Sequence, residues 1–335
     1  MRTYNIPIFV PHRGCPFDCV FCNQKRITGE EREVTKRTVK ETIEKYLETL
    51  PNEECFIEAA FFGGSFTGIP VEEQTELLSA AYEFIKSGRI HGIRLSTRPD
   101  YISTDILENL VKYSVTTIEL GVQSMDDGVL LESGRGHTSE DVKKAVSIIK
   151  KYPVKLGLQM MTGLPGDTKE KSIYTAKEII KLKPQMVRIY PTLTIEDTEL
   201  YTMYKEGTYK PQTLEEAVDT AKAILLMFEK ENIAVIRIGL QSTEEICENG
   251  SVAAGPIHSA FGELVEGEIY YDLIMEKIRD LKDTQVRVTV NPKEISKAVG
   301  NKKRNIKRFK EERNITLKIL GDNRLKKWEV HCKCC

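Results

Sequence analysis

Six apolar, β-branched runs recur between residues 6 and 190, separated by stretches with helical periodicity, and no feature of this 335-residue chain constrains its fold more. The runs are Ile6–Val10, Phe56–Phe62, Ile93–Thr97, Thr117–Val122, Val154–Met161 and Met186–Tyr190. Between them lie amphipathic stretches at about 34–49, 71–87, 103–112, 139–150 and 168–182, the last stopped by Pro184. Strand, loop and helix lengths fit repeated βα units, and such units in a row build a parallel sheet with helices outside it. Six are too few to close an eight-stranded barrel, so the expected class is α/β, a partial (β/α)6 barrel. A further helix at 213–231 and a strand at Ala234–Ile238 follow.

Residues 241–263 read as loop, with Gly250, Gly255, Pro256 and Gly262. A boundary is expected in 265–285, giving a core at 1–265 and a small domain at 266–335. That domain reads as strand Gln285–Val290, a helix from Pro292, a turn at Gly300–Arg304, a helix at 304–312 and strand Thr316–Leu320, a compact α+β unit.

Hydrophobic residues make up 40% and charged residues 30%, the balance of a soluble globular chain. No apolar run approaches the ~20 residues of a membrane span, so no membrane partner is expected. Met1 to Val10 lacks the basic and apolar regions of a signal peptide, and a cytoplasmic location is the expectation. The net charge of −1 conceals an asymmetry. Residues 291–335 hold 14 Lys and Arg against 5 Asp and Glu, while the rest hold 35 against 45. A basic end on an acidic body suits a polyanionic partner.

The eight cysteines, at 15, 19, 22, 55, 247, 332, 334 and 335, cluster at the two ends rather than spreading like a disulfide framework. Clustered thiols in a reducing compartment are more often metal ligands or redox groups. Cys15, Cys19 and Cys22 sit directly after the first strand with spacing C-x3-C-x2-C. Three thiolates on one short loop can each hold one iron of a cubane cluster and leave the fourth iron open to a ligand. A zinc site borrowing His12 is the competing reading, but zinc loops usually pair two C-x2-C units, and no second unit stands near the front.

With Phe21 just before the third cysteine, this segment resembles the radical S-adenosylmethionine (SAM) superfamily. The resemblance implies a [4Fe-4S] cluster whose open iron takes the amino and carboxylate groups of SAM. One electron then breaks the carbon–sulfur bond and gives a 5′-deoxyadenosyl radical. An electron donor such as ferredoxin or flavodoxin is implied with it. Gly63, Gly64 and Ser65, after the second strand, resemble the glycine-rich motif that receives the SAM amino group, with Ser65 where many members carry Glu. By the same resemblance Ser96, Gln123 and Arg135 line the ribose and carboxylate of SAM. The resemblance also implies Phe21 and Gln159 as cofactor-binding residues, Gln159 at a position that is often acidic in porphyrin-forming relatives. A loop histidine such as His137, just before a helix, is more often a cap or a surface group than a catalyst.

The run from Ile118 to about Gln241 is more specific. Glu119-Leu-Gly-Val-Gln-Ser, Gly134-Arg-Gly-His, Met161-Thr-Gly-Leu-Pro-Gly and Arg188-Ile-Tyr-Pro-Thr-Leu together resemble the radical SAM core of the Elongator catalytic subunit, which modifies tRNA wobble uridines. Elongator subunits space their first two cysteines further apart. Their acetyltransferase domain has no counterpart in these 335 residues, so carboxymethylation from acetyl-CoA is not implied; Gly255–Glu263 stands in its place.

Near the end, Pro292 to Arg308 resembles a KH module, in which a helix–GxxG–helix turn grips a nucleic-acid backbone. Lys303 replaces the second glycine, and Lys302, Lys303, Arg304, Lys307 and Arg308 supply charge for phosphates. His331, Cys332, Cys334 and Cys335 read as a terminal tail, for which disorder is the commoner outcome. The leading expectation is a radical SAM enzyme that modifies a carbon centre in RNA, with tRNA the expected class. The alternatives are an oxidase or transferase acting on a small molecule such as a tetrapyrrole, and a non-catalytic iron–sulfur RNA-binding protein.

Anaerobic reconstitution should load about four irons on the front loop, the number a cubane needs. Replacing Cys15, Cys19 and Cys22 with Ala should abolish this, and a triple variant with a full cluster and an unchanged spectrum would refute the ligand assignment.

Overall fold

The computed structural model describes residues 2–10, 19–22, 34–51, 54–240, 250–280 and 284–334. In chain order the first half runs β1 (Arg2–Val10), α1 (Lys36–Thr49), β2 (Cys55–Gly63), α2 (Val71–Lys86), β3 (Gly92–Thr97), α3 (Thr104–Lys112), β4 (Val115–Gln123), α4 (Asp127–Glu132), α5 (Ser139–Ile149) and β5 (Lys155–Thr162). It continues through α6 (Lys169–Lys181), β6 (Met186–Pro191), β7 (Thr194–Ile195), α7 (Glu199–Glu206), α8 (Leu214–Lys230), β8 (Ala234–Ile238) and β9 (Val252–Ala254). The last part is α9 (Phe261–Ile278), β10 (Gln285–Val290), α10 (Ile295–Val299), α11 (Arg304–Arg313), β11 (Thr316–Gly321) and β12 (His331–Cys334).

Strands β1 to β6 pair in sequence order and β8 joins beyond β6, giving a seven-stranded, curled, all-parallel sheet. The half-barrel expected from the periodicity is present, with the strand after the sixth unit as its seventh member. Threonine, serine or aspartate side chains cap the helices that leave the upper strand ends: Ser103, Asp126, Thr138, Thr168, Thr198 and Thr213 each accept from a backbone N–H of the first turn. Thr138 with Asp141 and Thr213 with Glu216 form reciprocal capping boxes.

Alternation within the strands decides which face is which. Ile57, Ala59 and Phe61 of β2, Ile93 and Leu95 of β3, Ile118 and Leu120 of β4, and Val187 and Ile189 of β6 join the apolar core beneath the helices. The intervening residues turn to the concave side, and several of them are charged. Arg94 donates to Glu58 Oε2 (2.8 Å) and to Glu119 Oε1 (2.7 Å); Arg188 donates to both oxygens of Glu119 (2.5 and 2.9 Å); Gln159 donates to Glu119 Oε2 (3.0 Å). Thr116 and Thr117 hydroxyls complete Glu58. Burial pushes the Glu119 carboxyl up, and the hydrogen bonds and charges of Arg188 and Arg94 outweigh it, so its pKa ends below the ordinary value.

The small second sheet has the order β11-β10-β12, with β11 parallel and β12 antiparallel to β10. The terminal tail read as disorder-prone is thus a strand, pairing Cys332 with Val288 and Cys334 with Val286. Backbone pairing to a central strand and the burial of Val330 hold it in place. The 265/266 division falls inside α9. That helix gives Phe261, Leu264, Val265 and Ile269 to the barrel core and Tyr270, Tyr271, Ile274 and Ile278 to the second core. Of the stretch read as loop, 241–249 lies outside the described residues; the rest holds β9 and the start of α9. No helix among the described residues is long and apolar enough to cross a membrane.

Glu119→Leu would strip the buried Arg94 and the half-buried Arg188 of a shared carboxylate. It should lower stability by roughly 3–5 kcal/mol in denaturant unfolding, against about 1 kcal/mol for Thr117→Val, which removes one neutral hydroxyl. The folded Glu119 pKa is depressed, so its stabilisation is complete above the ordinary carboxylate range and is lost as pH falls through the lowered value. Glu119→Gln should flatten that acid limb.

Candidate cofactor site at the barrel mouth

The site is assembled at the carboxyl ends of β1 to β5, where parallel sheets hold their ligands. Cys15 lies outside the described residues. Cys19 is buried, Cys22 is half-buried, and Cys22 N–H donates to Cys19 O (2.8 Å), so the two thiols share one tight turn. Two short helices absent from the sequence reading fix that turn. Val20 N–H donates to Ser133 O after α4 (3.2 Å), and Leu200 N–H of α7 donates to Val20 O (2.7 Å). Val20, Leu200 and Tyr209 form a small apolar cluster with Phe21 and Met203 packed on it. Phe21 therefore anchors the loop from its apolar side.

Gly63 ends β2 with φ 111°, and a Cβ there would lie 2.3 Å from the Val10 carbonyl oxygen. Gly64 N–H donates to the same oxygen (3.1 Å). The first glycine thus lets the ends of β1 and β2 approach, the second bonds across them, and both are partly exposed at the mouth. Ser65 is buried. Its hydroxyl meets Thr97 Oγ1 (2.9 Å) and accepts from Arg98 N–H (3.3 Å), a tie between the tops of β2 and β3.

Ser96 is half-buried on the concave face of β3, and its Cα pairs with Glu119. Gln159 is committed to Glu119 in the charged layer below the mouth. Gln123 closes β4 where its register with β5 shifts, in the left-handed region at φ 64°, a costly conformation for glutamine. Its Oε1 is buried with no hydrogen-bond partner among the described residues. Arg135 donates to Gly121 O (2.7 Å) and to Cys19 Sγ (3.4 Å), while its Nε is buried without a partner among the described residues. Gly121 makes room for both side chains, since a Cβ there would sit 3.1 Å from Gln123 Nε2 and 3.2 Å from Arg135 Nη2.

His137 is not the surface group its position suggested. It is buried at 3% exposure, with Nε2 beside the Val122 carbonyl (3.2 Å) and Nδ1 unpartnered. Burial first, then the charges of Arg135 and Arg98, pull its pKa down to about 4, so the ring stays neutral and donates from Nε2 to that carbonyl.

An unpartnered acceptor on Gln123 and an unpartnered donor on Arg135, against one glycine and beside a buried thiol, fit a ligand carrying both an ammonium and a carboxylate, as SAM does. The sequence missed Arg94 and Arg188 as parts of this architecture. Their signal was a charged residue flanked by apolar ones inside a buried strand.

The basic residues read as RNA-binding occupy the α10–α11 turn. Gly300, Lys302 and Lys303 all have positive φ, at 78°, 49° and 63°. Lys302, Lys303 and Lys307 are exposed and Arg304 is half-buried. Arg308 is differently placed: it pairs with Glu268 (2.7 Å) and Glu312 (3.2 Å) and stacks on Tyr271 (3.6 Å). Cys332 is half-buried on β12, and burial pushes its thiol up to about 11. Among the described residues no group of three or more His, Cys, Asp or Glu side chains is close enough to hold a metal.

A parallel half-barrel with two thiols and buried polar groups at its mouth is an architecture that suits a SAM-dependent iron–sulfur class of enzyme. The chain belongs to the radical SAM superfamily, matching that family over residues 9–179 and its C-terminal domain over 184–271. The cofactors of that family are a [4Fe-4S] cluster and SAM. Among relatives, the tRNA uridine(34) acetyltransferase of Methanocaldococcus jannaschii is 31% identical over 263 residues, 66% of this chain and 48% of that protein. Elongator complex protein 3 of Saccharomyces cerevisiae is 29% identical over 191 residues, 51% of this chain and 34% of that protein. The chain thus spans half or less of the length of these relatives. The solved structure of Elp3 from Methanocaldococcus infernus, with an N-terminal deletion, superposes with a TM-score of 0.63 at 26% identity, covering 83% of this chain and 64% of that one.

Two glycine variants separate structure from ligand space. Gly63→Ala should cost roughly 1–3 kcal/mol from backbone strain alone and lower the melting temperature. Gly64→Val should leave stability near wild type yet abolish release of 5′-deoxyadenosine from SAM under a strong reductant. Normal SAM cleavage in Gly64→Val would remove that glycine from the site.

Proposed function

We propose that this chain is a radical SAM enzyme that modifies a carbon centre in RNA, with tRNA as the substrate class. In this reading Cys15, Cys19 and Cys22 are the cluster ligands. Residues 1–265 carry the chemistry and residues 266–335 hold the RNA. When bound, the cluster and SAM supply one-electron cleavage of a carbon–sulfur bond and a radical able to take hydrogen from an unactivated carbon. The chain's own residues do the rest. Gln123 and Gly64 orient SAM, the buried Cys19 turn keeps water from the cluster edge, and the charged layer under Ser96 sets the cavity floor. An external one-electron donor such as ferredoxin or flavodoxin completes the requirement.

The observation that carries the RNA reading is the strained basic turn. Two consecutive lysines hold left-handed backbone at a cost of order 1–3 kcal/mol each. Both are exposed, with no ion pair among the described residues. Asn301 on Glu263, Asn305 on the Gly267 carbonyl and Lys303 N–H on Gly300 O (2.9 Å) hold the turn in that shape, and a phosphate backbone laid along it would use both the exposed backbone and the charge. Relatives named for a tRNA uridine support tRNA. Their acetyl transfer is not carried over, since the aligned part covers 48% of the M. jannaschii protein.

Binding to tRNA should weaken steeply between two salt concentrations, because each neutralised phosphate releases counterions. Lys302→Glu/Lys303→Glu/Arg304→Glu should weaken it by tenfold or more, about 1.4 kcal/mol, with iron content and melting temperature unchanged as controls for folding. Nucleoside mass spectra of RNA from cells with and without the protein would then identify the modified base. Equal affinities for the variant and wild type would overturn the RNA reading.

A further inference from the structure

Arg135 presents an unusual electrostatic problem. The residue is 7% exposed, and among the described residues no carboxylate pairs with its guanidinium. An unpaired buried cation is costly, so a fold that keeps one supplies an anion. The acceptors it does have are the Gly121 carbonyl, 2.7 Å from Nη2, and the sulfur of Cys19, 3.4 Å from Nη1. Cys19 is itself 4% exposed, so the contact is shielded from water.

The surroundings hold the guanidinium in that place. Arg98 donates to the Arg135 backbone carbonyl (2.6 Å), and Asp100 in turn grips Arg98 through two hydrogen bonds of 2.9 Å. Gly121 leaves the space that Nη2 enters. On the sulfur side, the turn carrying Cys19 is pinned to Ser133 and Leu200. Donor and acceptor are therefore positioned by separate elements, and the alignment does not depend on a mobile side chain.

We infer that Arg135 is a positioning residue for the iron–sulfur cluster: it hydrogen-bonds the Cys19 ligand sulfur and raises the cluster's reduction potential. This rests on the proposed assignment of Cys19 as a ligand. Reduction adds a negative charge to a thiolate-bound cluster, and a fixed cation with an N–H on a ligand sulfur stabilises the reduced form more than the oxidised one. The family resemblance assigns this arginine to SAM; the contacts assign its Nη1 to the cluster ligand and leave Nε for another acceptor.

The test is an EPR-monitored redox titration of the reconstituted holoprotein without SAM, on wild type, Arg135→Leu and Arg135→Lys. Arg135→Leu should retain its iron and move the midpoint potential to a more negative value, with Arg135→Lys between it and wild type. Should the leucine variant fail to hold a cluster, Arg135→Lys alone carries the comparison, with a smaller shift of the same sign. Unchanged potentials in the variants that hold the cluster, accompanied by weaker SAM binding in an equilibrium assay, would overturn the inference and leave Arg135 as a SAM ligand only. Failure of the underlying assignment looks different: a Cys19→Ala protein with a wild-type cluster spectrum refutes Cys19 as a ligand whatever Arg135 does.

Discussion

The chain of charges on the concave face, Glu58–Arg94–Glu119–Arg188, is the interaction on which the rest of the architecture depends. A parallel sheet covered by helices on one side has no second apolar layer to fill its other side unless it closes into a barrel. Here the sheet stays open at seven strands, and its concave face is held by carboxylates and guanidiniums that bridge β2, β3, β4 and β6. Glu119 alone receives Arg94, Arg188 and Gln159. Such buried pairs contribute little net stability over an apolar replacement, while losing one partner is costly. Their consequence is geometric: they tie β2 to β3 and β3 to β4, reach across β5 from β4 to β6, and leave the space above them polar.

That space is where the unsatisfied groups collect. One layer above Glu119, β4 gives up its regular register; Gly121 admits the guanidinium of Arg135, and Gln123 turns left-handed. The strain and the unpartnered Oε1 of Gln123 oppose folding, and the network below keeps them from relaxing. Site and scaffold are thus coupled through consecutive inward positions of one strand, Glu119, Gly121 and Gln123.

The strands and long helices were legible because each follows one period from a capped start. Five of the six runs, and the helices after Ser103, Thr138, Thr168 and Thr213, appear within a residue or two of where the pattern puts them, while β1 starts four residues before the run read at Ile6. What escaped is structure made by tertiary pairing alone. The six residues of α4 and eight of α7 are too short for a periodic signal, yet they clamp Val20 and so fix the cysteine turn. β12 has no apolar alternation; it is a strand because β10 offers a free edge beside Val286 and Val288. The motif residues Gly63, Gly64, Gln123 and Arg135 were visible by family resemblance. Their division of labour was not, because Gly63 is required by the Val10 carbonyl and Arg135 is occupied by a sulfur, contacts that only three dimensions reveal.

The joint between the two cores decides how a basic turn can serve a distant cavity. α9 is one unbroken helix whose first half is barrel core and whose second half is module core. A second tie comes from the connection between β11 and β12. The Trp328 indole donates to Glu229 at the end of α8, Lys327 pairs with the same carboxylate, and Trp328 N–H donates to the Tyr270 hydroxyl (3.1 Å). Trp328 accepts a left-handed backbone, φ 66°, to reach that position. Two attachments, the continuous helix and the Trp328–Glu229 contact, oppose hinge motion more than one helix would. The Lys302–Lys303 turn, itself braced by Asn301 on Glu263 and by Asn305 on the Gly267 carbonyl, is therefore displayed at a set distance from the barrel mouth. In the function proposed above, an RNA backbone gripped at the turn would place one nucleotide within reach of the cavity, chosen by that fixed spacing.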